Sequence, residues 1–239
     1  MAISIKICGL RTPEALDVAL HAGADMVGFV FFPPSPRHVD ELTARMLGGR
    51  VKGRALKVAL SVDADDDMLA ASIAAVAPDL LQLHGNETPQ RVLAVKSRFR
   101  LPVMKAIAVE SRSDLACVPD YAEVADRLIF DARAPRDATR PGGLGKPFDW
   151  RLLANLDPRV PFMLSGGLTP DNVGEAMAVA APGGVDVSSG VERAPGEKDG
   201  DLIRAFIRAA RSAPAPRARA IPILRGGTPA RGQTSSSNR

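Results

Sequence analysis

Residues 4–12 read SIKICGLRT. Ile3, Ile5 and Ile7 alternate with Ser4, Lys6 and Cys8. A period of two is that of a β-strand, with the isoleucines on one face and an ammonium and a thiol on the other. Gly9 ends the strand, so Cys8 stands at its carboxyl end beside a turn. A lone cysteine is commonly a small buried filler. One placed at the end of a strand can also meet a ligand, and the rest of the chain decides between the two readings.

Outward from this strand, strand-like and helix-like segments alternate. Thr12 caps a helix over 13–22, with Pro13 at its first position and Gly23 at its end. Further strands are expected at 26–32, 56–62, 80–84, 103–109, 127–132, 162–165 and 185–188. Helices are expected at about 40–47, from the acidic start 65–67, at 89–96, 112–124, from near 148, at 171–180 and at 201–213. Strict alternation implies parallel strands with right-handed crossovers. Eight units in roughly 210 residues are the arithmetic of an α/β fold of the (β/α)8 TIM-barrel type. An open doubly wound sheet would carry its glycine-rich phosphate loop after the first strand. Here Gly9-Leu10-Arg11-Thr12 is no such loop, and the glycine-rich stretches come late, where barrels hold phosphate.

The 239-residue chain is 46% apolar and only 4% aromatic, so aliphatic side chains must fill its core. Its two cysteines, Cys8 and Cys117, suggest neither a disulfide scaffold nor a metal site. With no signal-like start and no membrane-length apolar run, a cytoplasmic protein without membrane contact is expected. The net charge of +4 comes from residues 214–239, which hold five arginines and no acid. Their Pro, Gly and Ser content argues for a disordered tail behind a single catalytic domain, residues 1–213. Without interleaved aromatics the tail is not read as a nucleic-acid arm.

Helix-facing positions of barrel strands are apolar and alternate with interior ones. Lys6 and Cys8, Gln82 and His84, Asp131, and Asp186 and Ser188 then point inward, and Lys57 and Lys105 are read the same way. Such convergence of ionisable groups is unlike a core built for stability alone. Three glycine-rich loops follow strands 6, 7 and 8, at 142–145, 165–170 and 186–192. Glycines let successive backbone N–H groups cradle an anion, and Ser188 and Ser189 add hydroxyl donors. A phosphorylated small molecule is the expected ligand, and the missing G-x-x-x-x-G-K-[ST] argues against a nucleoside triphosphate. Cys8 and Asp131 could exchange protons with a substrate held between them. A thiolate forms more readily near a cation, here Lys6. Asp131 could instead be a structural partner of Lys105 or an arginine. Arg37, on the proline-stiffened loop 33–38, could grip a carboxylate or be an ordinary surface residue.

Together these motifs resemble the phosphoribosylanthranilate isomerase family of tryptophan biosynthesis. The resemblance rests on KICGL at 6–10, FVFFPPSPR at 29–37, LQLHGNE at 81–87, FDA at 130–132, GGLGKPFDW at 142–150, LSGGLTPDNV at 164–173, DVSSGVE at 186–192 and PGEKD at 195–199. It spans about residues 3–211. It implies an Amadori rearrangement of N-(5-phosphoribosyl)anthranilate, with Asp131 as general acid and Cys8 as general base. Arg37 would hold the anthranilate carboxylate, and the backbone around Gly145, Gly167, Ser188, Ser189 and Gly190 the phosphate. Gln82, His84 and Asp186 would also line the substrate. No metal or organic cofactor is implied, and the protein would be a monomer or homodimer. Leu144, Pro147, Ser165 and the pair Arg11-Thr12 depart from the family's usual residues. The alternatives are another phosphosugar-converting barrel of tryptophan or histidine biosynthesis, and a catalytically silent phosphosugar-binding barrel.

Overall fold

The computed structural model describes residues 3–133, 147–154, 156 and 159–214. Eight parallel strands close a barrel in sequence order: β1 (Ser4–Cys8), β2 (Met26–Phe31), β3 (Leu56–Ser61), β4 (Leu80–Leu83), β5 (Val103–Val109), β6 (Arg127–Ala132), β7 (Phe162–Leu164) and β8 (Gly184–Val187). The first strand pairs with both β2 and β8, which completes the cylinder. Helices α1 (Pro13–Ala22), α2 (Glu41–Val51), α3 (Asp66–Val76), α4 (Pro89–Phe99), α5 (Val118–Ala122), α6 (Val173–Ala180) and α7 (Gly200–Ser212) surround it. The chain is a (β/α)8 barrel. Among the described residues no helix is long and apolar enough to cross a membrane.

Local chemistry places the helix starts. The side chains of Thr12, Asp40, Asp65 and Thr88 each accept a backbone N–H of the first turn. Gly23 closes α1 at a φ of 91°, a left-handed conformation that costs glycine little.

Two apolar layers flank the strand wall. Ile5, Ile7, Leu81, Leu83, Leu128, Phe130, Val185 and Val187 pack outward against helix residues such as Leu16, Val92 and Phe206. Met26, Val58, Leu80, Met104, Ala106, Ile129 and Met163 come from strands alone and fill the lower barrel interior. Above them Cys8 meets Val30 and Leu60. Lys6, Gln82, Asp131 and Asp186 enter the interior above this layer, and Arg127, alternating with Ile129, enters it at the amino end of β6.

Two inward expectations are overturned by this alternation. Val58 and Leu60 take the interior positions of β3, so Lys57 points out and donates to Val76 O at the end of α3, 2.9 Å away. Met104 and Ala106 are interior in β5, so Lys105 lies on the outer face, where it pairs with Glu87 rather than Asp131. Strands buried on both faces read as continuous apolar runs, and a charge within them does not reveal its side.

The helices after β5 and β6 also differ from expectation. A 3₁₀ helix over Arg112–Cys117 precedes the short α5, whose first turn holds Pro119. Proline lacks the N–H that an unbroken helix would need there. After β6 the described helical segment is a single 3₁₀ turn, Trp150–Leu153. An unexpected hairpin, β9 (Glu192–Ala194) with β10 (Glu197–Lys198), lies between β8 and α7. Its strands are too short for alternation to register. The glycine-rich stretch 142–145, with Gly145 and Leu144, and the tail from 215 lie outside the described residues.

Candidate active site

Cys8 ends β1 with its side chain in the barrel interior, almost fully buried. Gly28 on β2 makes room for it: a Cβ there would stand 2.9 Å from Cys8 Sγ and 3.2 Å from Lys6 Cε. Lys6 is fully buried, and its ammonium donates to Asp186 Oδ1 at 2.9 Å. The two residues are register partners across the β1–β8 seam. Ser165 Oγ donates to the other Asp186 oxygen at 3.2 Å. The Asp186 carboxylate is thus engaged by protein groups at both oxygens.

Burial pushes the Cys8 thiol pKa up, because a thiolate is poorly solvated there. Lys6 pulls it down, Asp186 adds to the rise, and the balance stays above the ordinary thiol value. For Lys6 burial works downward, but Asp186 and Cys8 outweigh it and hold the ammonium above the usual lysine range. Lys6 therefore stays charged beside the sulfur.

Asp131 stands at the carboxyl end of β6, one position beyond the outward Phe130 and two beyond the interior Ile129. Its Oδ1 accepts the Ala132 N–H at 2.8 Å, and its Oδ2 lies 3.1 Å from His84 Nε2. His84 Nδ1 is 2.9 Å from the Gln82 side-chain amide nitrogen. Gln82 is fully buried, and its Oε1 has no hydrogen-bond partner. A string of Gln82, His84 and Asp131 thus runs up the interior: the Gln82 amide nitrogen can only donate, so His84 Nδ1 accepts and Nε2–H is left to donate to Asp131 Oδ2.

The turns after β7 and β8 form a second cluster. Gly166 and Gly167 have φ of 84° and 66°, and a Cβ on Gly166 would lie 2.4 Å from Ala132 N and 2.9 Å from Asp131 Oδ1. Only glycine brings this turn so close to the carboxyl group. A Cβ on Gly190 would overlap Leu168 O at 1.8 Å, so the two turns are docked backbone to backbone. Ser189–Val191 forms a 3₁₀ turn, and Ser188 Oγ donates to Cys8 O at 3.2 Å.

Arg37 is buried, not at the surface. Its stem packs on Gly9, where a Cβ would stand 2.7 Å from Arg37 Cδ. Its Nε and Nη2 fork onto Glu192 Oε1 and Oε2 at 2.8 and 2.7 Å. Glu192 Oε1 also accepts from Lys198 Nζ at 2.7 Å. Burial pushes the Glu192 carboxyl pKa up, but Arg37 and Lys198 more than reverse this and leave it below the usual carboxylate range. The sequence reading gave Glu192 and Lys198 no role. Their signal was a glutamate and a lysine in glycine-bearing segments with no apolar pattern, which reads as a solvated loop until the hairpin buries them.

The fold and its upper face define a barrel enzyme with ionisable groups and backbone turns gathered at the carboxyl ends of its strands. Known proteins narrow this. The family model for N-(5'-phosphoribosyl)anthranilate (PRA) isomerase matches residues 5–209. The N-(5'-phosphoribosyl)anthranilate isomerase of Nitrobacter winogradskyi is 65% identical over 213 residues, covering 89% of this chain and 95% of that one. The phosphoribosyl anthranilate isomerase of Thermotoga maritima superposes with a TM-score of 0.79 at 35% identity, covering 87% of this chain and 98% of that one. A second phosphoribosyl anthranilate isomerase structure, solved with reduced 1-(o-carboxyphenylamino)-1-deoxyribulose 5-phosphate, gives 0.76 at 32% identity with the same coverage. The chain belongs to the phosphoribosylanthranilate isomerase family.

Proposed function

We propose that the chain converts N-(5-phosphoribosyl)anthranilate into 1-(2-carboxyphenylamino)-1-deoxyribulose 5-phosphate, with Asp131 and Cys8 exchanging the protons. Asp131 gives its proton to the furanose ring oxygen, the C1′–O bond breaks, and the nitrogen lone pair forms an iminium at C1′. The Cys8 thiolate takes the C2′ proton, made acidic by that iminium, and the electrons settle as an enolamine. Asp131, now a carboxylate, takes the enol proton while the Cys8 thiol protonates C1′. The ketone forms and both residues return to their starting states, so none of the three steps calls for an external oxidant or reductant. Lys6 supports the thiolate, and His84 Nε2–H supports the Asp131 carboxylate once its proton has gone to the substrate. The turns at Gly167 and at 188–190 hold the phosphate, and Arg37 the anthranilate carboxylate.

The observation that carries this reading is the placement of one thiol and one carboxyl on interior positions at the carboxyl ends of β1 and β6. Each touches a different titratable partner, Lys6 for Cys8 and His84 for Asp131. The purified chain is expected to extinguish the fluorescence of phosphoribosylanthranilate as the product forms. A phosphosugar that binds without being consumed would overturn the proposal and leave a silent binding barrel.

A further inference from the structure

We propose that Lys198 is a positioning residue that makes the carboxylate grip and the phosphate turn one mechanical unit. The inference rests on the roles given above to Arg37 and to the turn 188–190.

The Lys198 side chain is almost fully buried in β10. An ammonium has three N–H groups. Here one reaches Glu192 Oε1 at 2.7 Å, and the others find Ser188 O at 2.9 Å and Ser188 Oγ at 3.2 Å. One atom therefore holds both the start of the β8 turn and the carboxylate that fixes the plane of the Arg37 guanidinium. Among the described residues two cations, Arg37 and Lys198, share the Glu192 carboxylate, and an excess of positive charge is the sign that attracts an anionic substrate.

The hairpin around Lys198 is wedged against both parts. Gly196, at a φ of 84°, lies so close to the Arg37 loop that a Cβ would stand 2.4 Å from Pro36 O. Arg11 Nη1 donates to the same carbonyl at 2.8 Å. At the other end, Gly190 seats the β8 turn on Leu168 O. A phosphate that orders this turn pulls on Ser188, hence on Lys198 and Glu192, and so steadies Arg37. The substrate carries both anions, whereas a ligand with only one gains nothing from the link.

The two halves of the substrate, inorganic phosphate and anthranilate, test this as paired inhibitors of turnover. In the unaltered chain each is expected to strengthen inhibition by the other about fivefold or more, the usual scale of coupling between sites. Lys198→Met should bring that interaction factor to one, while each inhibitor alone still competes with substrate. Glu192→Gln should do the same if Lys198→Met does not fold, as checked by circular dichroism. Lys198→Arg, which keeps a cation and several donors, should restore part of the coupling. The proposal is overturned if Lys198→Met keeps the original factor, as it would were the lysine only structural, or if the unaltered chain shows none. Failure of the underlying reading looks different: neither compound competes with substrate, or Arg37→Ala leaves inhibition by anthranilate unchanged.

Discussion

Lys6 and Lys105 are both buried lysines with a carboxylate oxygen 2.9 and 3.0 Å away, yet they stand on opposite faces of the strand wall. Lys105 faces the helix layer. Its ammonium reaches Leu83 O, Gly85 O and Ala106 O besides Glu87, and lies 5.6 Å from the Tyr121 ring centre. Glu87 in turn accepts the N–H groups of Asp63 and Gly85. Every polar group in this cluster is committed to backbone, so it fixes the loops after β3 and β4 and has nothing left for a ligand. Lys6 has one carboxylate partner, Asp186, and a thiol as its other neighbour. A buried lysine with a carboxylate thus serves as a clamp behind the wall, as Lys105–Glu87, and as an electrostatic support in front of it, as Lys6–Asp186.

The largest effects expected are those of the proton-exchanging pair. Cys8→Ala and Asp131→Asn should each lower kcat by about 10²–10⁴-fold or more, the range for loss of a general acid or base. Phosphate affinity should change little, measured as inhibition of residual turnover or by calorimetry. Equal losses of binding and rate would make both residues structural and would reduce Lys6 to a second clamp.

Removing the clamp should act on folding. Lys105→Met leaves Glu87 buried without its cation, a change worth about 3–5 kcal/mol of stability. Urea unfolding should show the loss, and Lys105→Met with Glu87→Gln should recover much of it. The pH profile of the folded enzyme should stay where it was. A shifted profile would mean that Lys105 also reaches the site.

Removing the support should act on the pH profile instead. The active base is the thiolate, so the rate of Cys8 alkylation by iodoacetamide, followed by mass spectrometry, should rise with pH through the Cys8 pKa. Burial raises that pKa, which puts the rising limb on the alkaline side of the usual thiol value of about 8.5. Lys6 holds the pKa down, so Lys6→Met should move the limb further up and cut the rate at neutral pH. Asp186 holds it up, so Asp186→Asn should move the limb the other way. Shifts of the same sign in both variants would show that they act by disturbing packing rather than charge.

The contrast between the lysines also marks what the sequence could disclose. Ile5 and Ile7 on one side of β1 made Lys6 an interior residue, and the β1–β8 register then paired it with Asp186. All eight barrel strands were legible from such runs and their turn residues. In β5 both faces are apolar apart from Lys105, so its side depended on Met104 and Ala106 filling the interior, a matter of three-dimensional packing. For Arg37 the sequence left a carboxylate grip and a surface residue both open; the structure buries it, and its hold by Glu192 joins residues 155 positions apart. The hairpin that buries Glu192 and Lys198 has strands of three and two residues, below the length at which alternation carries information.

An exposed pair completes the series and should give the smallest effect. Lys96 on α4 reaches Asp126 Oδ1 at 2.8 Å with 37% of its side chain exposed, and makes only a long contact of 3.4 Å to Val124 O. Water already solvates both charges, and holding the long lysine in one rotamer costs entropy, so little net free energy remains. Lys96→Met should cost less than about 1 kcal/mol in urea unfolding, and the difference should shrink as salt is added. Asp126 would keep its second oxygen on the Val103 N–H at 2.9 Å, so the start of β5 stays tied. A loss as large as that from Lys105→Met, or one insensitive to salt, would show that burial is not what separates these lysines. The division of Lys6 and Lys105 into support and clamp would then need another cause.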